Sequence, residues 1–98
     1  MINSTRDMFG PIQFQIGSTP NPNAVRVALT QIVFEKPTTY ATAAAAEADP
    51  LAKKLFALGH IKQVFCFNDF ITVTKEPGAD WAALQPKIAE VLAGHFHA

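Results

Sequence analysis

Four segments of the chain have the residue pattern of β-strands. In residues 12–16 and 25–29 apolar and polar residues alternate, which is the period of a half-buried strand. Two further β-rich runs, residues 61–67 and Phe70–Lys75, are separated only by Asn68-Asp69. Asn and Asp suit the positive φ angles of two-residue turns, so these two runs predict a tight antiparallel hairpin.

The segment after the second strand is less regular. Residues 32–34 either prolong that strand or start a short strand of their own. The following residues, Lys36-Pro37-Thr38-Thr39, are expected to break it.

The first helix is marked by its start and stop signals. Asp49 has the position of an N-cap and Pro50 that of the first helical residue. Gly59 supplies a left-handed stop. We therefore expect a helix over residues 50–58, after a short leading turn at residues 42–48.

The second helix begins after Asp80, which has the position of its N-cap. Pro86 costs this helix one backbone hydrogen bond, so it lies either near the helix start or at a kink in the second turn. The apolar positions of the helix are Trp81, Leu84, Ile88, Val91, Leu92 and Phe96.

These elements follow one another in the order β-β-α-β-β-α. The economical arrangement is a two-layer α+β fold, in which one mostly antiparallel sheet carries two helices on one face. The chain has 98 residues, of which 49% are hydrophobic, enough for one domain whose core needs neither disulfides nor metal. We expect residues 1–11 to form a flexible N-terminal arm and residues 12–98 to form this single domain.

A two-residue turn also fixes which residues of the hairpin share a face. It places Cys66 opposite Ile71 and Val64 opposite Val73, and directly opposed residues point to the same face of a sheet. This face is aliphatic and is the natural platform for the helices. Cys66 is therefore predicted to be buried there as a small hydrophobic residue. A metal contact or a redox role for Cys66 is the alternative.

The opposite face of the hairpin carries three phenylalanines, Phe65, Phe67 and Phe70. A monomer rarely exposes a contiguous aromatic patch without a reason. We predict that these rings are more exposed than Val64 and Val73. One interpretation is that a partner or a second copy buries them. The alternative is that the N-terminal arm or the strand-connecting loops cover the patch.

Charge and composition argue against several classes of function. Eight basic residues balance eight acidic ones, and they are dispersed, so nucleic-acid binding through phosphates is not expected. No apolar stretch approaches the roughly 20 residues that span a bilayer, and residues 1–7 lack the apolar centre of a signal peptide. A single cysteine excludes an internal disulfide and fits a reducing compartment, so we expect a cytoplasmic location.

No catalytic or metal-binding constellation can be assembled from the sequence. A zinc or iron–sulfur site needs about four ligands, usually with C-x-x-C spacing, and the chain has one cysteine, Cys66. Six acidic residues fall at predicted ends or turns, where capping explains them, namely Asp7, Glu47, Asp49, Asp69, Glu76 and Asp80. There is no glycine-rich phosphate loop. We therefore expect a protein that is not an enzyme.

Several short motifs occur in the order and with the gaps of a known family. One is Thr-Pro-Asn-Pro-Asn at residues 19–23, followed by an alternating strand, and another is the helix start at Pro50–Phe56. The others are Val64-Phe65 with residues 69–75, and Asp80-Trp81 with the apolar pattern after it. Over residues 12–96 the chain resembles the N-terminal domain of the Nfu/NifU-like iron–sulfur cluster scaffold proteins.

The resemblance implies a function. In that family the domain has the same element order and usually precedes a second domain whose C-x-x-C pair holds the cluster, and this chain is expected to be a stand-alone form without it. The implied role is a non-enzymatic accessory or interaction domain in iron–sulfur cluster assembly or delivery, acting by protein–protein contacts with assembly or client proteins. No cofactor is expected in the isolated domain, which would meet iron or a cluster only through partners or a dimer, and we expect a monomer or weak homodimer.

Two other functions stay open. One is direct iron binding through Cys66, with two chains sharing the metal, and the other is a structural or regulatory domain unrelated to iron. The alternative for residues 19–23 is that their prolines and asparagines fix the path between two strands. The candidate interaction residues are Thr19, Pro20, Asn21, Pro22, Asn23, Phe65, Phe67 and Phe70.

Overall fold

The computed structural model describes residues 13–96, so Ile12, the predicted arm at residues 1–11 and the last two residues lie outside the described part. Within it, five strands and two helices follow in the order β-β-β-α-β-β-α. The strands are β1 (Phe14–Ser18), β2 (Ala24–Leu29), β3 (Phe34–Tyr40), β4 (Ile61–Asn68) and β5 (Phe70–Lys75), and the helices are α1 (Pro50–Phe56) and α2 (Trp81–Phe96).

The strands form one antiparallel sheet in the order β1-β2-β5-β4-β3, which confirms the predicted α+β class. The β4–β5 hairpin has the predicted register, with Cys66 opposite Ile71 and Val64 opposite Val73. At the turn, Asn68 has a φ angle of 50°, a left-handed conformation that Asn adopts more readily than most residues.

The expectation that residues 36–39 break the strand is wrong, because all four lie within β3. Among the described strands, β3 pairs only with β4 and is an edge strand. An edge tolerates proline where the missing N–H faces away from the ladder. The register also shifts between Phe34 and Thr38, so Pro37 lies in an irregular part of the pairing. The predicted element order therefore lacked one strand.

The two helices pack on the aliphatic face of the sheet, as predicted. Side chains from both helices join β2, β4 and β5 in one hydrophobic core. Its buried members are Val25, Val27, Leu29, Leu51, Leu55, Ile61, Val64, Cys66, Ile71, Val73, Leu84, Ile88, Leu92 and Phe96.

The ends of α1 follow their sequence signals. Asp49 Oδ1 accepts hydrogen bonds from the N–H groups of Leu51 and Ala52 at 3.0 and 3.3 Å, as an N-cap does. The helix ends at Phe56, slightly earlier than predicted. Gly59 has the positive φ angle, 83°, that the predicted stop requires.

Helix α2 is continuous through its proline. Asp80 Oδ1 accepts a hydrogen bond from the N–H of Ala82 at 2.9 Å, which confirms the predicted cap. Pro86 lies in the second turn on the exposed side of the helix, where water can replace the lost backbone hydrogen bond.

Candidate functional site

The side of the sheet away from the helices carries the predicted aromatic residues, and we call it the open face. Phe65, Phe67 and Phe70 are each partly exposed, whereas Val64 and Val73 on the helix side have no exposed surface. The predicted difference in exposure between the two faces of the hairpin is confirmed. The alternative that the N-terminal arm covers these rings concerns residues 1–11, which lie outside the described part of the chain.

The three rings form a continuous cluster. The ring centroids of Phe65 and Phe70 are 5.8 Å apart, and those of Phe67 and Phe70 are 6.3 Å apart with the planes nearly perpendicular. Such tilted and edge-to-face pairs are favourable aromatic geometries. We call these residues the aromatic cluster.

A charged residue completes the cluster. The guanidinium carbon of Arg26 lies 4.3 Å from the centroid of the Phe70 ring, which is the geometry of a cation–π contact. Arg26 reaches this ring because β2 pairs with β5, with Ala28 opposite Phe70 and Arg26 opposite Thr72. The alternation in residues 25–29 places Arg26 on the polar side of its strand but does not predict this contact, because nothing local in the sequence indicates which strand lies beside β2.

Ile32 is a second feature that the sequence did not reveal. Its side chain is 73% exposed, and the neighbouring Val33 N–H donates to the backbone oxygen of Asn68 at 2.9 Å. Ile32 therefore stands in the loop beside the hairpin turn, near the end of the sheet that carries Phe67 and Phe70. Its apolar side chain adds to the exposed apolar surface there.

Residues 19–23, the Pro/Asn loop, form a compact turn stabilised by their own side chains. The Asn21 side-chain oxygen accepts a hydrogen bond from the N–H of Asn23 at 2.9 Å. The Thr19 hydroxyl accepts from the N–H of Asn21 at 3.1 Å and lies within hydrogen-bond distance, 3.0 Å, of the Ala24 backbone oxygen. These contacts favour the structural alternative for Thr19, Asn21 and Asn23, because their polar groups fix the path into β2.

Two side chains attach the Pro/Asn loop to the rest of the domain. The Lys75 ammonium donates to Asn23 Oδ1 at 3.0 Å, and Trp81 Nε1 donates to the Pro22 backbone oxygen at 2.8 Å. Lys75 is only 6% exposed, and its Nζ also lies 5.6 Å from the centroid of the Trp81 ring. The loop is therefore fixed to the end of β5 and the start of α2.

The structure does not bring the two predicted interaction regions together. The loop contacts Lys75, the last residue of β5, whereas Phe70 is the first residue of that strand. At about 3.3 Å per residue, the two ends of β5 are separated by roughly 17 Å. The aromatic cluster and the Pro/Asn loop are therefore separate surfaces.

Cys66 is buried beneath the helices, as predicted. It is a free thiol with 2% of its surface exposed, and it lies between Thr38 of β3 and Ile71 of β5 in the sheet. Burial raises the pKa of the thiol to about 12, and the negative charge of Asp49 adds to this rise. A protonated, inaccessible thiol is a poor metal ligand and a poor nucleophile.

The described residues do not fit an iron–sulfur cluster. Clusters are held by several thiolates, and Cys66 is the chain's only cysteine. Among residues 13–96, no three His, Cys, Asp or Glu side chains are grouped so that they could hold a metal ion. Across the same residues, no helix has the length and apolar character needed to cross a membrane.

Fold and surface together define a small α+β domain with an exposed aromatic cluster and a rigid Pro/Asn loop. The sequence profile of the family "Scaffold protein Nfu/NifU N terminal" matches residues 13–98. The chain belongs to this family, as the sequence resemblance predicted.

Insect proteins are among the curated relatives of the chain. The chain is 36% identical over 98 residues to the mitochondrial iron–sulfur cluster scaffold homolog of Drosophila willistoni, and 35% identical over 95 residues to that of Drosophila virilis. These matches cover 98% and 95% of this chain but only 32% and 30% of the relatives. The chain thus spans about a third of the length of the relatives it matches.

Two solved structures have the same fold. The crystal structure of a Staphylococcus aureus protein has a TM-score of 0.72 at 26% identity, and the match covers 82% of this chain and 98% of that one. The solution structure of a NifU-like protein from Saccharomyces cerevisiae has a TM-score of 0.76 at 22% identity, covering 96% of this chain and 82% of that one. At 22% identity, the match to the Saccharomyces cerevisiae protein supports a shared fold and nothing further.

The expected cytoplasmic location is overturned by the curated relatives, which are named as mitochondrial proteins. That expectation relied partly on the single cysteine. A free thiol fits any reducing compartment, so the cysteine count cannot tell the cytosol from another one.

Proposed function

We propose that the chain is a non-enzymatic interaction domain in iron–sulfur cluster assembly or delivery, and that it acts by binding assembly or client proteins. In this proposal the cluster is cargo that the partners hold. The family supports the setting, since the relatives are named as iron–sulfur cluster scaffolds. The chemistry of the described residues supports the mode of action, because they offer a contact surface and no set of cluster ligands.

The aromatic cluster is the observation that carries the proposal. Three neighbouring rings and an arginine stacked on one of them lie on the face that the helices leave uncovered. Aromatic residues and arginine are the residue types enriched at the energetically important centres of protein interfaces. We assign the binding surface to Phe65, Phe67, Phe70 and Arg26.

The Pro/Asn loop has a supporting place in this proposal. Its internal hydrogen bonds and its attachment to Lys75 and Trp81 hold it rigid. A rigid loop loses little conformational entropy when it binds, so the exposed rings of Pro20 and Pro22 could serve as a second, smaller contact at the other end of the sheet.

Affinity capture from a native lysate tests the proposal. The wild-type chain is expected to enrich iron–sulfur assembly proteins or their client apoproteins, and Phe67→Ser is expected to lose them. Phe56→Ser is the matched control, because Phe56 packs beside the core on helix α1 and lies away from the open face. Capture of no iron–sulfur protein by the wild type would contradict the function, and equal capture by Phe67→Ser would contradict the surface.

A metal measurement separates this proposal from direct iron binding. Cys66→Ser is expected to bind the same small amount of iron as the wild type under anaerobic conditions, since the thiol is buried and protonated. Iron bound by the wild type and lost in Cys66→Ser would instead assign a metal site to Cys66.

A further inference from the structure

Strand β1 is an edge whose outward backbone groups have no strand beside them among the described residues. The hydrogen bonds of β2 show which groups these are. Thr30 N–H donates to the oxygen of Gln13, whereas the preceding N–H, from Leu29, donates to Asp69 on the other side. Because the ladder alternates along antiparallel strands, the N–H and C=O groups of Phe14, Ile16 and Ser18 point away from β2.

The two edges of the sheet differ in their protection. The other edge strand, β3, carries Glu35, Lys36 and Pro37 and has an irregular register, and these are devices that prevent an edge from pairing with another strand. The sequence of β1 is Phe-Gln-Ile-Gly-Ser, with no charged residue and no proline. Only the β1 edge is therefore free of these obstacles to a further strand.

An uncharged groove runs beside this edge on the helix side of the sheet. It has a volume of about 420 Å³ and is lined by Ile16, Trp81, Ala82, Gln85, Pro86 and Ala89. A residue that pairs directly with Ile16 in an added strand would point to the same side of the sheet as Ile16. Its side chain would enter this groove, so the groove favours an aliphatic residue at that position.

We propose that β1 pairs with β1 of a second copy of the chain, antiparallel and centred on Ile16. The outward groups at Phe14, Ile16 and Ser18 are symmetric about Ile16, so a two-fold axis places Ile16 opposite Ile16 and Phe14 opposite Ser18. Each of these pairs exchanges two backbone hydrogen bonds. The Ile16 side chain of each copy then fills the groove of the other.

The uncharged lining of the groove and the absence of net charge on the chain favour this occupant. An apolar isoleucine is the residue that an uncharged groove accepts, and β1 itself supplies one at the required position. The chain has a formal net charge of +0 at pH 7, so two copies approach without long-range repulsion. The inference does not depend on the proposed role in cluster assembly, because it concerns an edge of the sheet and not the open face.

Sedimentation equilibrium from micromolar to millimolar concentration tests the proposal on a matched pair of variants. Ser18→Ala keeps the outward N–H and is expected to dimerise like the wild type. Ser18→Pro removes that N–H, which points away from β2 and faces no other strand among residues 13–96, and is expected to weaken dimerisation by roughly tenfold or more. A third variant, Ile16→Lys, places two like charges at the centre of the interface and is expected to be monomeric.

Amide hydrogen exchange identifies the surface directly. The amides of Phe14, Ile16 and Ser18 are expected to become protected as concentration rises. Three results overturn the proposal: a wild-type chain that stays monomeric at millimolar concentration, a dimer that Ser18→Pro and Ile16→Lys leave intact, or protection of these amides that is independent of concentration. The last result would mean that another part of the same chain covers the edge.

Discussion

Asp49 joins two elements, helix α1 and strand β3, through one carboxylate. Its Oδ1 accepts from the first N–H groups of α1, and its Oδ2 accepts from the hydroxyl of Tyr40, at the end of β3, at 2.6 Å. The hydrogen bond to Asp49, together with burial and the negative charge of Asp49, raises the pKa of Tyr40 to about 12. The capping residue that the sequence revealed thus also holds the edge strand against the helix.

We expect Tyr40 to titrate well above its ordinary pKa of 10. Since Tyr40 is the only tyrosine, the ultraviolet absorbance of tyrosinate measures it directly. Asp49→Asn should lower this pKa towards 10, because the amide carries no charge. The folded-state pKa lies above the unfolded value, so the stabilisation is complete below pH 10 and is lost as the pH rises towards 12. A Tyr40 pKa near 10 in the wild type would contradict the hydrogen bond between Tyr40 and Asp49.

Cys66 should be almost unreactive in the folded chain. Its burial and raised pKa leave little accessible thiolate, so alkylation requires local or global opening. We expect iodoacetamide to label the native chain roughly a hundredfold or more slowly than the urea-unfolded chain at the same pH. Similar rates in the two states would show that the thiol is accessible and would reopen a chemical role for it.

At the scale of elements, short sequence motifs predicted the features that depend on residues close together in the chain. The Asn68-Asp69 turn fixes the register of β4 with β5, and the Asp49-Pro50 pair fixes the start of α1, so both could be derived from the sequence. β3 could not be. Its proline and polar residues oppose a strand locally, and its existence depends on the edge that β4 offers across the sheet.

The hairpin turn gives a prediction with an internal control. Asn68 has a φ angle of 50°, a left-handed conformation that costs alanine about 1 kcal/mol but costs asparagine and glycine less. Asn68→Ala is therefore expected to lower the free energy of unfolding by about 1 kcal/mol, whereas Asn68→Gly should equal or slightly exceed the wild type. Urea unfolding of the three proteins measures the difference. Equal stability of the two variants would show that the turn relaxes out of this conformation.

At the scale of the whole molecule, the sequence predicted which residues share a face of the sheet. It did not predict which strands lie side by side. Alternation within the hairpin was enough to separate the aromatic cluster from the core. The contact of Arg26 with Phe70 and the distance between the cluster and the Pro/Asn loop both depend on the pairing of β2 with β5. That pairing joins segments far apart in the sequence, and no local pattern specifies it.

The two faces of the sheet should therefore differ in what they contribute to stability. Ile71 is fully buried between the sheet and the helices, so Ile71→Ala is expected to cost about 2–5 kcal/mol through lost burial and the cavity left behind. Phe67 is partly exposed and lies outside the packed core, so Phe67→Ala should cost less than half as much, although it removes a larger side chain. Chemical unfolding of both variants gives the comparison. If Phe67→Ala costs as much as Ile71→Ala, the aromatic cluster is part of what holds the domain together, and its exposure would no longer indicate a binding surface.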